Sequence, residues 1–181
     1  MDKKDIVKNL QKLDKSLSQT VSSPVSIYIA GGSAFALLGC DNRTTRDIDV
    51  LKHTAMEVRG ITQMFKESFV NCDVAAYFDN FPVGFASRAS KVDIGTSSLN
   101  VFVLSKEDLV VSKLCTTRFE QDVEDVENPL IYENLDWTLL DKLADSMKYS
   151  MISSLAYDNF KFNYDSYCDK YREMGRDYDD V

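Results

Sequence analysis

A Gly-Gly-Ser triplet at residues 31–33 stands between a β-branched and aromatic run at 25–30 and a short apolar run at 34–38. The flanking patterns predict a buried strand before the triplet and a buried helix after it. Two glycines at such a turn permit close backbone approach, and the helix N-terminus offers N–H groups to an anion. Gly-Gly-Ser is also an ordinary turn before a helix, so the triplet alone does not distinguish a phosphate site from a turn.

Two aspartates follow in the segment Asp47-Ile48-Asp49-Val50-Leu51, where acidic and apolar residues alternate. Alternation with period two predicts a strand with the Asp47 and Asp49 carboxylates on one face, about 6–7 Å apart. Two such carboxylates repel each other and lose hydration, and a bound divalent cation removes that cost. Oxygen ligands of this kind suit Mg²⁺ or Mn²⁺ completed by substrate phosphates. The alternative is a solvated aspartate that pairs with Arg43 or Arg46.

The remaining patterns predict an α+β protein, with strands and helices mixed in the first part and helices dominating the second. The expected elements are a helix from Ile6 to Leu17, strands at 25–30, 47–51, 74–78 and 99–104, and helices at 34–38, 56–70, from 105, at 121–131 and from 136 to about 175. Ile152 and Leu155 are among the expected core positions of the last helical stretch. We therefore expect a mixed β-sheet flanked by helices over residues 1–104, and a helical region over 105–181 packed on it.

Composition, charge and the spacing of the cysteines exclude several classes of protein. The chain has 181 residues and a net charge of −8, so no whole-protein field attracts nucleic acid, and any phosphate must be held locally. The four cysteines are too far apart in sequence for a zinc motif, and a chain of this length needs no disulfide framework. The N-terminal residues form no apolar signal segment, and the run at 27–40 is too short to span a bilayer. These features predict a soluble, cytoplasmic protein.

The order of the motifs resembles a known superfamily. Gly32-Ser33, then thirteen residues, then Asp47-Ile48-Asp49, is similar to the signature of the DNA-polymerase-β-like nucleotidyltransferases. The fuller string, from Ile29 to Ala34 and from Arg43 to Val50, resembles the bacterial subgroup that contains abortive-infection (AbiEii-like) nucleotidyltransferase toxins. A later stretch resembles that subgroup's downstream motif through Leu104 to Leu114, which includes Lys113, followed by Arg118, Asp122 and Asp125.

The resemblance implies a polymerase-β-like head and a role for each matching residue. Gly32 and Ser33, with Gly31 beside them, would hold the triphosphate, and Asp47 and Asp49 would hold Mg²⁺. Lys113 would meet phosphate charge, and Asp122 would be a further acidic residue of the site. Arg46, in the loop before the aspartates, would bind phosphate or neutralise Asp47.

Several assignments stay open at the level of sequence. The wider superfamily places a third carboxylate on a later strand, and the candidates here are Asp93, Asp122 and Asp125. Asp122 and Asp125 lie three positions apart on one expected helix face, which is equally typical of a solvated acidic surface. Lys113 lies among apolar residues, as does a surface lysine whose stem covers the core.

These implications predict an Mg²⁺-dependent enzyme that moves a nucleoside monophosphate from an NTP to a hydroxyl group. By resemblance the acceptor is an RNA, such as the 3′ end of a tRNA, or a protein, and the setting is a toxin with an antitoxin partner. The first alternative is a non-catalytic protein that uses the same fold to bind a nucleotide or a partner. The second is an interaction module built on the aromatic C-terminal helices.

Overall fold

The computed structural model describes residues 1–40, 44–116 and 119–174, without the side chains of 75–77 and 119–122. By their internal contacts these residues form two compact units. The first unit contains residues 1–76 and 86–104, and the second contains residues 77–85 and the chain from residue 105 onward. The carboxylate pair and the Gly-Gly-Ser turn both belong to the first unit.

The first unit is built around a β-sheet. Its elements are α1 (Lys3–Ser18), β1 (Val25–Ile29), α2 (Gly31–Leu37), β2 (Ile48–His53), α3 (Ile61–Glu67), β3 (Val70–Asn71), β4 (Ser90–Val92) and β5 (Leu99–Val103), with α4 (Phe85–Arg88) preceding β4 in the chain. The strand order is β3-β2-β1-β5-β4. β1 runs antiparallel to β2 and parallel to β5, β3 runs parallel to β2, and β4 runs antiparallel to β5. The α+β class and the mixed sheet flanked by helices are therefore confirmed.

Helix α1 supplies the core on one face of this sheet. Asp2 and Asp5 form a capping box that satisfies backbone N–H groups at its N-terminus. Its apolar stripe is fully buried and contacts the sheet at β5; the stripe consists of Ile6, Leu10, Leu13 and Leu17. Every second residue of β1, starting at Val25, is buried toward this core, as the pleat of a strand requires.

The opposite face of the sheet is less buried. Tyr28 of β1 pairs with Phe102 of β5, and their rings stack with centroids 4.9 Å apart. Lys52 of β2 pairs with Tyr28 on the other side and lies over its ring at 5.6 Å from the centroid. Asp49 belongs to this second face, because its neighbour Val50 pairs with buried Ile29 on the α1 side.

The second unit is helical. Its helices are α5 (Lys106–Leu114), α6 (Phe119–Val126), α7 (Pro129–Tyr132), α8 (Trp137–Ser150) and α9 (Ser154–Tyr171). Ser105, Asn128, Asp136 and Ser153 each cap the helix that follows by accepting a backbone N–H bond. Aromatic side chains of α9 form much of the core, and the hydroxyl of Tyr167 donates to the carbonyl of Val126. Phe160, Tyr164, Tyr167 and Tyr171 therefore pack inside the unit, whereas Phe162 of the same helix is exposed.

The segment between β2 and β4 differs from the prediction made from sequence. The predicted helix at 56–70 is only the two-turn α3, and the predicted strand at 74–78 is wrong because residues Asp73–Asn80 form a 3₁₀-helix. The strand in this region is β3, at Val70–Asn71. Its two residues are too few for an alternation pattern, and Phe69, in a left-handed conformation, ends α3 just before it.

Two helical predictions are also corrected. The stretch from 136 is divided, because Met151 leaves the helical conformation and Ser153 caps a new helix. Ile152 and Leu155 lie at this break and are exposed, so neither is a core residue. The single helix expected at 121–131 is two helices, since Pro129 begins α7 at a position where a missing N–H costs nothing.

Candidate active site

The Gly-Gly-Ser triplet forms the first turn of α2, so this helix begins at Gly31 rather than at the predicted residue 34, in a backbone conformation that requires glycine. Gly31 has a φ of +60°, a backbone angle that residues other than glycine rarely adopt. A Cβ at this position would lie 3.1 Å from Cγ of Asp49 and overlap its Oδ2 atom. The carboxylate of Asp49 therefore rests against bare backbone, and Gly31 is the residue that makes room for it.

Ser33 connects the turn to the strand that carries the aspartates. Its side chain is fully buried in the first turn of α2. The hydroxyl donates to the carbonyl of Ala30 at 2.9 Å and accepts from the backbone N–H of Asp49 at 3.2 Å. Ser33 thus fixes the strand position from which the Asp49 side chain projects, and its contact with a triphosphate stays a prediction.

Asp47 and Asp49 converge on a third side chain, Asn71. The amide Nδ2 of Asn71 donates to Oδ2 of Asp47 at 3.3 Å and to Oδ1 of Asp49 at 3.2 Å. Asp49 and Asn71 are direct partners in the parallel β2–β3 register, while Asp47 lies one residue before β2. The backbone N–H of Asp73 donates to Oδ1 of Asn71 at 2.9 Å, which fixes the amide with its N–H groups toward the carboxylates.

This donor set suits a small divalent cation. Two half-buried carboxylates each accept a hydrogen bond from the same amide nitrogen, so both point toward one position beside Asn71. Mg²⁺ is commonly held in this way, by one or two carboxylates together with substrate phosphates. Within residues 1–40, 44–116 and 119–174 no group of three or more His, Cys, Asp or Glu side chains is arranged to bind a metal.

Asn71 stands where reasoning from sequence looked for a third carboxylate. Asp93, one of the candidates, follows β4 at the opposite edge of the sheet, with β1 and β5 between that strand and β2. Its carboxylate accepts from the backbone N–H of Gly95 in an exposed turn. Asp93 is therefore a turn residue, and it does not lie beside Asp47 and Asn71.

The other predicted site residues are Arg46, Lys113 and Asp122. Arg46 is exposed immediately before Asp47. Lys113 lies in α5 of the second unit and forms an ion pair with Asp125, with 2.8 Å between Nζ and Oδ2. The side chains of Lys113 and Asp125 are 13% and 4% exposed, so Lys113 is a partly buried partner of a buried carboxylate rather than a fully exposed lysine. The side chain of Asp122, like Arg43 and Arg118, lies outside the described residues.

A groove in the first unit begins at the carboxylates. It has a volume of about 810 Å³ and follows β2 beside α3, with Asp47 and Asn71 in its lining. β3 ends at Asn71, so in the described part of the chain no strand pairs with the outer edge of β2 beyond Asp49. Aliphatic side chains, including Val50, Leu51, Ile61 and Val70, line much of the rest. The aromatic and basic side chains of the lining are Lys52, His53, Phe65, Lys66 and Phe69. We call this cavity the α3 groove.

Two titratable side chains of the α3 groove have shifted pKa values. Burial lowers the pKa of the His53 imidazole, whose Nδ1 accepts the backbone N–H of Ala55 at 3.2 Å. Burial and the neighbouring charge of Asp73 raise the pKa of the Cys72 thiol to about 11. At neutral pH His53 is uncharged and Cys72 is protonated, so neither is a charged ligand or a thiolate nucleophile.

Comparison with known proteins identifies the family to which the chain belongs. Over residues 8–172 the chain matches the family described as a nucleotidyltransferase of unknown function (DUF6036). The match covers most of the chain, which therefore belongs to that family and to the nucleotidyltransferase class. No curated protein and no solved structure matches the chain. Among the helices of the described residues, none has the length and hydrophobicity that crossing a bilayer requires.

Proposed function

We propose that the protein is a metal-dependent nucleotidyltransferase that moves a nucleoside monophosphate from an NTP to a hydroxyl group of an RNA or a protein. The observation that carries this proposal is the convergence of Asp47 and Asp49 on Asn71, against the bare backbone of Gly31. Family membership supports the general reaction. The metal, the NTP and the acceptor are our inference from the donor set.

The reaction is an in-line displacement at phosphorus. The acceptor oxygen forms a bond to the α-phosphorus, the bond from that phosphorus to the β-bridging oxygen breaks, and pyrophosphate leaves with the electron pair. The proton of the acceptor hydroxyl passes to water. A bound Mg²⁺ neutralises charge on the phosphate oxygens and orients both reactants. The chain itself mainly positions the groups, and Ser33 and Asn71 hold the two carboxylates in place.

The residues of the sequence motifs have proposed roles in binding the NTP. Gly31, Gly32 and Ser33 lie at the turn where the triphosphate would bind, and Arg46 is exposed beside Asp47. Lys113 is proposed to meet phosphate charge and Asp122 to be a further acidic residue of the site, on the strength of the sequence motif. Lys113 already pairs with Asp125, so a phosphate would share its ammonium group with a carboxylate.

The finer family placement is also a proposal. The strings around Gly32-Ser33 and Asp47–Asp49, with the downstream Lys113 motif, support a place near the AbiEii-like toxins. On that basis the natural acceptor includes a tRNA 3′ end, and an antitoxin protein is the expected partner. Co-expression with the neighbouring open reading frame tests the pairing, because an antitoxin restores the growth of cells that the toxin arrests.

Label transfer tests the reaction directly. Purified protein is incubated with each α-³²P-labelled NTP, Mg²⁺, total RNA and protein extract, beside an Asp49→Asn variant that keeps the shape of the side chain. We expect label in one macromolecular fraction, dependent on Mg²⁺ and absent with the variant. The γ-labelled NTP serves as the matched control, since nucleotidyl transfer releases that phosphate within pyrophosphate. Transfer from the γ-labelled NTP would instead show a kinase.

A non-catalytic nucleotide-binding protein is the second candidate. The observation that favours it is Asn71, an uncharged residue beside Asp49, where a third carboxylate would add another metal ligand. This candidate predicts metal-dependent NTP binding by calorimetry with no label transferred to any fraction. Transfer that stops with Asp49→Asn would exclude it.

A further inference from the structure

Phe69 has a conformation that is costly for its residue type. It follows Ser68, the C-cap of α3, with a φ of +57°, the left-handed position at which helices usually place glycine. For a bulky side chain this conformation costs roughly 1–3 kcal/mol and persists only where the surrounding structure enforces it. Among the residues described, it is the one non-glycine residue with positive φ.

The side chain of Phe69 gains little burial from this strain. It is 55% exposed, although its backbone carbonyl accepts from the N–H of Ile48 and so fixes the start of the β2–β3 pairing. A glycine would make the same backbone bond without strain. An aromatic ring kept exposed in a strained conformation beside a candidate active site is typical of a ligand contact rather than of core packing.

The ring lies in the wall of the α3 groove, which is continuous with the carboxylates. Asp47 and Asn71 line one part of the groove, and the exposed side chains of Lys52 and Lys66 line others. The acidic side chains in the lining are Asp47 and Asp73, the first of which is proposed to bind the cation. The groove therefore combines an aromatic surface, two cations and access to the reaction centre.

The positions of the strands around the two carboxylates indicate which reactant the groove would hold. Gly31 contacts Asp49 from the β1 side, whereas Asn71 bonds to both carboxylates from the β3 side. In an in-line displacement the leaving group and the attacking oxygen lie on opposite sides of the phosphorus. If the triphosphate occupies the Gly31 side, the acceptor hydroxyl approaches from the Asn71 side, where the α3 groove begins.

We propose that the α3 groove is the acceptor site and binds the terminal nucleotide of a single-stranded RNA, with its base stacked on Phe69. Lys66 and Lys52 contact phosphates of the strand, and the terminal hydroxyl reaches the α-phosphorus beside Asp47. This inference rests on the proposed nucleotidyl transfer and follows its bond changes. A volume of about 810 Å³ accommodates a ligand of nucleotide size.

The composition of the groove favours an RNA end over a protein side chain. Base stacking on an aromatic ring is independent of sequence and contributes strongly to the binding of single strands. Lys52 and Lys66, in the same lining, supply the cations that phosphate contacts need. With a net charge of −8 for the whole chain, a groove that holds both a ring and cations is what an RNA end would recognise. A serine acceptor would use neither feature, and a tyrosine acceptor could use the ring but brings no phosphates for the lysines.

The test measures RNA binding separately from transfer. A fluorescent single-stranded oligoribonucleotide is titrated with the full-length protein by anisotropy, beside the same oligonucleotide in a blunt duplex. We expect Phe69→Gly to weaken single-strand binding about tenfold and Lys66→Glu to weaken it and reduce its salt dependence. Phe162→Ala removes an exposed aromatic of α9 as the matched control and should bind like the parent protein.

Phe69→Gly is suited to this test because glycine accepts the backbone conformation. Its melting temperature should equal or exceed that of the parent protein, so a loss of binding cannot be attributed to unfolding. Phe69→Asn, which also tolerates a left-handed backbone, provides a second variant. RNA binding that is unchanged in both variants would overturn the proposal.

Transfer assays then separate this proposal from the proposed function. Phe69→Gly should reduce label in RNA while Asp49→Asn abolishes label and leaves RNA binding intact. If no NTP gives transfer but RNA binding still depends on Phe69, the enzyme assignment fails and the groove remains an RNA site. Label that enters protein alone, or enters RNA equally with Phe69→Gly, overturns the groove as the RNA acceptor site.

Discussion

The hydroxyl of Ser33 accepts a hydrogen bond from the backbone N–H of Asp49, with 3.2 Å between the oxygen and the nitrogen. The same hydroxyl donates to the carbonyl of Ala30, at the end of β1. Two motifs separated in sequence are therefore joined by one buried side chain. The position of the Asp49 carboxylate depends on the first turn of α2, and both parts of the signature are needed for one geometry.

Ser33→Ala removes both of these hydrogen bonds and leaves the N–H of Asp49 without this acceptor. We expect the free energy of unfolding to fall by about 1–3 kcal/mol, the cost of a buried polar group that loses its partner. Urea denaturation measures the change. Ser33→Thr keeps a hydroxyl and serves as the control. If Ser33→Ala is as stable as the parent protein, the two hydrogen bonds of the Ser33 hydroxyl do not contribute to stability.

Gly31→Ala places a Cβ against the carboxylate of Asp49 at a positive φ. We expect a loss of stability greater than the roughly 1–2 kcal/mol of the backbone alone, together with loss of Mn²⁺ binding in calorimetry. Gly60→Ala is the matched control, because Gly60 also has a positive φ but has open space around its Cβ position. Equal effects of the two substitutions would show that contact with Asp49 is unimportant.

Asn71→Asp adds a third carboxylate beside Asp47 and Asp49. Without metal the three charges repel, so we expect a lower melting temperature at neutral pH. With Mn²⁺ the added oxygen ligand should tighten binding about tenfold, which corresponds to ~1.4 kcal/mol. Asn71→Ala should weaken Mn²⁺ binding, because the carboxylates lose the amide that holds them together. Metal affinity that is the same in all three proteins would exclude a positioning role for Asn71.

The Lys113–Asp125 pair allows structural and catalytic roles to be separated. Lys113→Met removes the cation from a nearly buried carboxylate and should cost about 3–5 kcal/mol of stability. Replacing both residues, with Lys113→Met and Asp125→Leu, should recover most of that loss in urea denaturation. A stable double variant that transfers no label would show that Lys113 or Asp125 takes part in the reaction. One that retains full activity would limit Lys113 to a structural role.

His53 makes stability depend on pH in a defined direction. Burial lowers its folded-state pKa below the ordinary 6.5, so the unfolded chain binds more protons between the two values. The stabilising contribution is present above pH 6.5 and is lost as the pH falls through the folded-state value. Melting temperatures from pH 7.5 to 5 should fall more for the parent protein than for His53→Gln. Parallel curves would contradict the shift.

The α+β class, the central strands and the Gly-Gly-Ser turn could be predicted from sequence because each leaves a local pattern. The β1 segment is apolar and the β2 segment alternates, and Gly31 stands at a position whose positive φ favours glycine. The convergence of the two aspartates follows from strand geometry. Local chemistry and tertiary structure agree at these positions.

Asn71 and Phe69 could not be found in this way. β3 has two residues, so its pairing with β2 is set by tertiary contacts and not by a pattern of its own. The sequence pattern predicts that Phe69 is an apolar residue within a helix, because nothing in the sequence indicates its left-handed backbone conformation. The third position of the site therefore depends on a strand that has no sequence signal.

The parallel pairing of β1 with β5 also determines the order in which the protein can fold. β1 and β2 are close in sequence, but the register from Val25 with Leu99 closes a loop of about 70 residues. During synthesis the carboxylates and their turn emerge well before β5, so β1 waits with one edge unpaired. A chain whose synthesis stops in this interval therefore exposes an unpaired edge of an apolar strand, a feature that makes incomplete chains prone to aggregate.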